Sequence, residues 1–396
     1  MQRESIVVEI ERILPGGFGL AHAEGLTLFV PLAAPGDIVR IQVNRVRGKV
    51  GFATINEVVK PSPLRVEPPC PYFGRCGGCD FQQLTYEAQL NSKIEIIEDC
   101  LRRVGKIKTL PPISIVPSPQ AWQYRSRAGW QINIENQRLG YFEGGSHKIC
   151  DVELCAVLDP ELQRVLEILR GEMRAGTLQA RGELEVVAGD AGISVAPPLG
   201  GFETAEVRRV VGAEEYAFNA RSFFQINHRL LAPLIEEALR DEANTSATHD
   251  GTAVDLYCGV GLFTIPLARR FARVIGVESN SDAVRFAHHN LEHARLDNAQ
   301  VVNSSVREWL WANEDLTGQM EFLLLDPPRT GAEPGAIGGI VRMKPKMISY
   351  VSCDPATLAR DLQQLLSNGY VLETVKAFDL FPQTHHVETV THLSAA

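Results

Sequence analysis

No stretch of this 396-residue chain holds the roughly 18 uninterrupted apolar residues of a membrane-spanning helix, because charges or prolines break every apolar run. The opening segment MQRESIVVEIER also lacks the charged-then-apolar layout of a secretory leader and already alternates like a strand. Both absences set the expectation of a cytoplasmic protein that does not meet a membrane. In that compartment disulfides would be missing too, so the eight cysteines stay reduced, and clusters among them point to metal binding or catalysis. Positive charge is not in excess: the net charge is −9, a weak argument against a polyanionic partner. The distribution reverses that argument. Residues 1–130 hold 16 Lys/Arg against 12 Asp/Glu, and the remainder holds 23 against 36. A basic front half attached to an acidic back half suits a polyanion-docking region joined to something else, although charge runs alone are more often solvated surface. The composition, 45% hydrophobic and 22% charged, is that of a globular chain with room for two or three domains.

Residues 1–60 read as short alternating strands, SIVVEIERI, GLAHAEG, TLFVPLA, DIVRIQVNRVRG and KVGFATINEVV, separated by turns such as PGGFG and APGD. That spacing predicts a small closed barrel of the oligonucleotide-binding type. Its strand VRIQVNRVRGK alternates apolar and cationic residues, so one face fills the barrel and the other can meet phosphate. This stretch resembles the TRAM domain carried by RNA-modifying enzymes. A proline-rich linker, KPSPLRVEPPCPYF, follows, and residues 61–214 are expected to form a central α+β domain. From 215 to 396 strands alternate with helices: TAVDLYC, RVIGVE, AQVVN, EFLLLD and MISYVSC predict a parallel, doubly wound, Rossmann-like sheet. YVLETVKAFDLF and HHVETVTHL have no helix between them and predict an antiparallel pair.

AVDLYCGVGLFTIPLARR is an apolar strand, a glycine turn and a helix start, with Gly259 and Gly261 free to let the backbone approach a ligand. A lone G-x-G also suits a nicotinamide or flavin. Glu278 ends the next strand about 20 residues on, where an acid can accept from ribose hydroxyls, and Asp326 ends the fourth strand in FLLLDPPRTG. The third glycine of the pyrophosphate fingerprint is absent, which disfavours a dinucleotide. The set is the layout of an S-adenosylmethionine-dependent methyltransferase.

Cys353, in SYVSCDPATLARD, follows the fifth strand and so emerges at the same sheet edge. Such a cysteine could be core packing, a metal ligand or a nucleophile. Carbon 5 of uracil is too weak a nucleophile to take a methyl group unaided; a thiolate adding to carbon 6 activates it, and a base must then remove the carbon-5 proton. In order, SFFQIN, DLYCGVG, DPPRTG, YVSCDPATLARD and HHVETV resemble the motifs of the RNA (uracil-C5)-methyltransferases. The resemblance implies Cys353 as nucleophile, Glu388 as proton acceptor, and Gln225, Tyr257, Glu278 and Asp326 as cofactor contacts. Two departures stand out. Asp354 occupies the place where the family usually has Asn; it would raise the thiol pKa if ionised and close, or simply cap the next helix. Leu262 and Ser305 stand where some rRNA-acting members have cofactor-touching Asn, and neither is assigned as a ligand. Cys258 and Cys100 read as packing. His288, His289, His385 and His386 read as surface residues or supports behind the site, and Arg329 as a contact to base or phosphate or, equally, a salt bridge.

CPYFGRCGGC supplies Cys70, Cys76 and Cys79, and DVELCAVLDP supplies Cys155. Four thiolates suit either zinc or an iron–sulfur cluster. The family resemblance implies [4Fe-4S], with Cys155 rather than Cys150 as fourth ligand, in a structural or RNA-contacting role. The expected function is therefore S-adenosylmethionine-dependent methylation of uridine carbon 5, on 23S rRNA with tRNA as the alternative, by a monomer that takes a base flipped from its stack. Rival readings are a methyltransferase acting on an exocyclic base amine, and a non-enzymatic RNA-binding or redox protein carrying the cluster.

Overall fold

The computed structural model describes residues 5–240 and 249–396. The N-terminal strands are β1 (Ile6–Glu9), β2 (Arg12–Ile13), β3 (Phe18–Ala23), β4 (Leu26–Pro31), β5 (Ile38–Arg47) and β6 (Val50–Lys60), in the sheet order β1-β5-β6-β4-β3-β2. β1 and β2 are one bent run. Ile10 N–H donates to Asp37 while Glu11 N–H donates to Leu20, so the run leaves β5 and joins β3, closing the barrel. Alternation puts Val8, Leu28, Val30, Val39, Ile41 and Val43 inside. Arg45, Arg47 and Lys49 at the β5–β6 tip stay exposed.

A five-stranded antiparallel sheet follows, ordered β10-β9-β8-β11-β12, from β8 (Arg127–Asn133), β9 (Arg138–Phe142), β10 (Ile149–Asp151), β11 (Arg181–Ala188) and β12 (Ile193–Ala196). The helix Pro160–Ala175 lies on it. Asp159 caps that helix, Pro160 fits its first turn, and Gly176 ends it in a left-handed conformation (φ 71°). Its face of Leu162, Val165, Leu166, Leu169 and Met173 meets Trp130, Ile132 and Val186 of the sheet. A two-stranded hairpin, β13 (Val207–Val211) with β14 (Glu214–Phe218), links this unit to the last one.

The C-terminal sheet has eight strands in the order β17-β16-β15-β18-β19-β21-β20-β7. They are β15 (His249–Leu256), β16 (Phe271–Glu278), β17 (Ala299–Asn303), β18 (Met320–Leu325), β19 (Met347–Ser352), β20 (Tyr370–Phe378) and β21 (Glu388–Ala395), with β7 (Ile113–Val116) at the far edge. β15 to β19 pair in parallel, and β21 runs antiparallel between β19 and β20, as the missing helix predicts. Apolar residues fill both faces, which is why these strands read as nearly continuous hydrophobic runs. The segment 61–214 is divided in space. The helix Tyr86–Arg103 packs into the core of the large sheet through Ile96, Ile97, Cys100 and Leu101, and β7 extends that sheet, while residues 127–196 form the separate five-stranded unit.

Topology then places the chemistry. The strand order reverses at β15, and the crevice beyond the carboxyl ends of β15, β16, β18 and β19 is where a doubly wound sheet takes a ligand. An antiparallel neighbour presents its first residue where parallel strands present their last. Thr389 is paired with Ser352, so Glu388 opens β21 beside Cys353.

Candidate active site

Gln225, Tyr257, Glu278, Asp326, Cys353 and Glu388 line one cavity of about 840 Å³, within the usual size range of small-molecule sites. The turn after β15 builds one side of it. Tyr257 holds a left-handed backbone (φ 64°), as do Gly259 (φ 55°) and Gly261 (φ 94°), and a side chain added at Gly259 would meet nothing within 4 Å. Gly259 N–H donates to Glu278 Oε2 at 3.0 Å, and Asn280 N–H donates to Glu278 Oε1 at 2.7 Å, which aims the carboxylate across the turn. Glu333 N–H donates to the Tyr257 hydroxyl at 3.1 Å, tying the turn to the loop after β18. The open glycine turn and the fixed carboxylate fit an adenosine-bearing methyl donor. Leu262 and Ser305 also line the cavity; the Ser305 hydroxyl accepts from Glu308 N–H as a helix cap. Cys258 is buried, and a Cβ at Gly276 would lie 3.0 Å from its sulfur, so it serves packing.

The other side of the cavity is acidic and buried. Burial pushes Asp326 up to about 7, partly opposed by Gln225, whose Nε2 lies 3.5 Å from Asp326 Oδ2. Glu388 is 1% exposed; burial and the negative charge of Asp326 raise it well above the usual carboxylate range, against the Arg329 guanidinium. Its Oε1 is buried with no hydrogen-bond partner among the described residues. The Cys353 thiol is raised by burial first and then by Glu388 and Asp326, with Arg329 acting the other way and Asp354 adding a smaller push. Asp354 also caps the following helix, Pro355–Leu366, accepting from Ala356 N–H at 3.0 Å and Thr357 N–H at 2.8 Å. Both of its expected roles are therefore present. Arg329 lines the cavity and has no ion pair among the described residues, which favours base or phosphate over a salt bridge.

Three supports carried no assignment from the sequence. Asp361, 1% exposed, accepts from the Tyr350 hydroxyl (2.7 Å) and Ala332 N–H (3.0 Å), holding the loop that follows Asp326. Arg127 donates to Ser222 O (2.7 Å), Ala220 O (2.8 Å) and Glu185 (3.0 Å), and so anchors the approach to Gln225. Asp255, fully buried in β15, is pushed up to about 8 by burial and accepts from the Thr264 hydroxyl at 2.5 Å. Only Asp255 carried a visible signal, as an acid within the apolar run TAVDLYC. Of the paired histidines, His288 is exposed and His289 half-buried on the helix Ser281–His293, away from the cavity, whereas His385 and His386 are half-buried just before Glu388.

Cys70, Cys76, Cys79 and Cys155 line a second cavity together with Arg125 and Tyr141, both of which also wall the first. Cys150 does not line it; its sulfur accepts from Arg75 Nε at 3.3 Å. Among the described residues no group of three or more His, Cys, Asp or Glu is placed to hold a metal ion.

Comparison with known proteins bears on this geometry. The family described as tRNA (Uracil-5-)-methyltransferase matches residues 204–396, and the TRAM domain of tRNA (uracil(54)-C(5))-methyltransferase matches residues 6–64. The 23S rRNA (uracil(1939)-C(5))-methyltransferase RlmD of Pectobacterium atrosepticum is 32% identical, over 98% of this chain and 93% of its own. The chain belongs to the RNA uracil-C5 methyltransferases. An uncharacterized RNA methyltransferase of Aquifex aeolicus is 30% identical over 99% of both chains. The crystal structure of Pyrococcus abyssi tRNA (uracil-54, C5)-methyltransferase in complex with S-adenosyl-L-homocysteine is 25% identical and superposes with a TM-score of 0.73, covering 98% of this chain and 100% of that one. An S-adenosylmethionine-dependent RNA uracil-C5 methyltransferase thus carries a TRAM barrel at one end and its methyltransferase sheet at the other. No helix among its described residues is long and apolar enough to cross a membrane.

Proposed function

We propose that this RNA uracil-C5 methyltransferase acts on a uridine of 23S rRNA, with Cys353 as nucleophile and Glu388 as proton acceptor. The observation that carries the mechanism is that Cys353, Asp326 and Glu388 line the same cavity as the Tyr257–Gly259–Glu278 turn. When bound, S-adenosylmethionine supplies an electrophilic methyl group on sulfonium. The Cys353 thiolate forms a bond to uracil carbon 6, and the carbon 5–carbon 6 π electrons move onto the carbon-4 carbonyl as an enolate. Carbon 5 then takes the methyl group with the enolate electron pair, and the sulfur–methyl bond breaks with its pair left on sulfur as a neutral thioether. Glu388 receives the carbon-5 proton; that C–H pair re-forms the double bond as the carbon–sulfur bond breaks and the sulfur leaves as thiolate. An unpartnered, buried carboxylate oxygen supports this role for Glu388, and Gln225 and Asp326 orient donor and ring. A nucleophile and base recessed in a cavity in this way require the target base to leave its stack.

The four-thiol cavity supports a [4Fe-4S] cluster held by Cys70, Cys76, Cys79 and Cys155. Such a cluster is held through four thiolates, and all four of these thiols line the one cavity. Arg125 offers a compensating cation: its Nε is buried beside the thiols without a partner. When bound, the cluster supplies a rigid cross-link, since methylation transfers no electrons.

The rRNA preference rests on the relative that is 32% identical over nearly the whole chain; tRNA is the second reading, favoured by the solved structure at 25% identity. The deciding experiment incubates the protein with 23S rRNA and tRNA fragments carrying 5-fluorouridine. A covalent adduct, absent in Cys353→Ala, supports the thiol route. Methylation without any adduct would overturn it in favour of direct transfer to an exocyclic amine. Mapping carbon-5 methyluridine in cells with and without the protein separates rRNA from tRNA.

A further inference from the structure

Three parts of the molecule meet at one point. Asp80 directly follows the thiol Cys79, and His385 lies three residues before Glu388. Asp80 Oδ1 accepts from His385 N–H at 2.8 Å, and its Oδ2 pairs with His385 Nδ1. The backbone N–H groups of Asp80 and Phe81 both donate to Gln383 O, at 3.1 and 3.0 Å. The barrel reaches the same point: a Cβ at Gly17, in the β2–β3 turn, would lie 3.0 Å from Asp80 Oδ2 and 3.3 Å from His385 Nδ1. Gly17 also has φ 80°, so the close approach and the conformation both need glycine. The rest of the segment is held with equal care. Gln89 exchanges hydrogen bonds with Gln383, which sits at φ 69°; Tyr124 donates to Pro382 O at 2.9 Å, and Lys93 to Phe381 O at 3.0 Å. Such fastening over-determines the entry of β21, whose first residue is Glu388.

We propose that the Asp80–His385 pair is a positioning device for the base: it passes the placement of the thiol loop and the barrel to Glu388 and so governs the proton-removal step. The inference rests on the reading of Glu388 as proton acceptor. Addition of Cys353 and methyl transfer use Cys353, Asp326 and the Tyr257–Gly259–Glu278 turn and do not pass through this pair, whereas elimination needs the carboxylate within reach of the carbon-5 proton. Loosening the pair therefore slows only the last step, and the enzyme accumulates as its methylated covalent adduct.

The test uses the full-length, iron-loaded protein and ordinary uridine-containing RNA, with the adduct resolved on a denaturing gel. Asp80→Ala and His385→Ala are expected to raise the adduct fraction and lower turnover by about tenfold or more while adduct formation on 5-fluorouridine RNA keeps the parent rate. The double variant should be no worse than either single one. Gly17→Ala, which presses on the pair from the barrel, serves where Asp80→Ala fails to hold iron. An unchanged adduct fraction, or a parallel loss of turnover and of fluorouridine trapping, would overturn the positioning role. Failure of the parent protein to trap fluorouridine would instead sink the underlying thiol mechanism.

Discussion

Cys353 sits among charges that oppose its ionisation. Burial, Glu388 and Asp326 all raise the thiol, so thiolate is scarce at neutral pH and its fraction grows about tenfold per pH unit below the pKa. The rate of adduct formation on fluorouridine RNA should therefore climb with pH between about 6 and 9. Asp326→Asn removes one of the opposing charges and should move that profile to lower pH; a profile that stays in place would count against the electrostatic account. Asp354→Asn should move it the same way, by less. It should also leave thermal stability within about 0.5 kcal/mol, because either side chain caps the helix comparably. With Glu388 as the proposed proton acceptor, Glu388→Gln keeps the shape but cannot take the proton, so methylated adduct should build up on ordinary RNA.

At the scale of the element, loops rather than strands carry the risk. Asp361, within the helix Pro355–Leu366, fastens the loop after β18 through Tyr350 and Ala332. Asp361→Ala leaves a buried hydroxyl and a buried N–H without their acceptor, a cost of about 1–3 kcal/mol that a denaturant midpoint would register. Gly331 belongs to the same loop and has φ 79°, and a Cβ there would press 2.9 Å from Asp361 Oδ2, so the acid and the glycine are matched. The RNA KM of Asp361→Ala should rise with the loss of stability, since the loop carries Arg329 into the cavity. Equal KM values for parent and variant would separate the loop's stability from its function.

Across the whole molecule, two features join the parts. Lys93, on the helix Tyr86–Arg103, is fully buried against Asp379, which the Tyr86 hydroxyl also meets at 2.8 Å. Lys93→Met strands that carboxylate in the interior, and a loss of about 3–5 kcal/mol is expected on melting or denaturant titration. The second feature is the barrel tip. Replacing Arg45, Arg47 and Lys49 together by Ala should weaken RNA binding and lower the slope of log affinity against log salt by about 0.7 for each phosphate that is no longer neutralised. A slope that does not change would place the RNA elsewhere.

Local pattern determined much of this. The alternation in residues 5–60 contained every barrel strand, and the five apolar runs after residue 250 became β15 to β19 nearly residue for residue, because a strand buried on both faces admits little else. The shared edge of Glu278, Asp326 and Cys353 was legible for the same reason: strand ends at one sheet edge can be named from sequence. Long-range pairing could not be. That Glu388 stands beside Cys353 follows from β21 inserting antiparallel between β19 and β20, and that β7 and the helix Tyr86–Arg103 belong to the large sheet's core follows from docking across more than 200 positions of chain. The Asp80–His385 pair has the same origin: its members lie 305 positions apart, and tertiary packing alone brings a thiol loop, a barrel turn and the approach to β21 to one point.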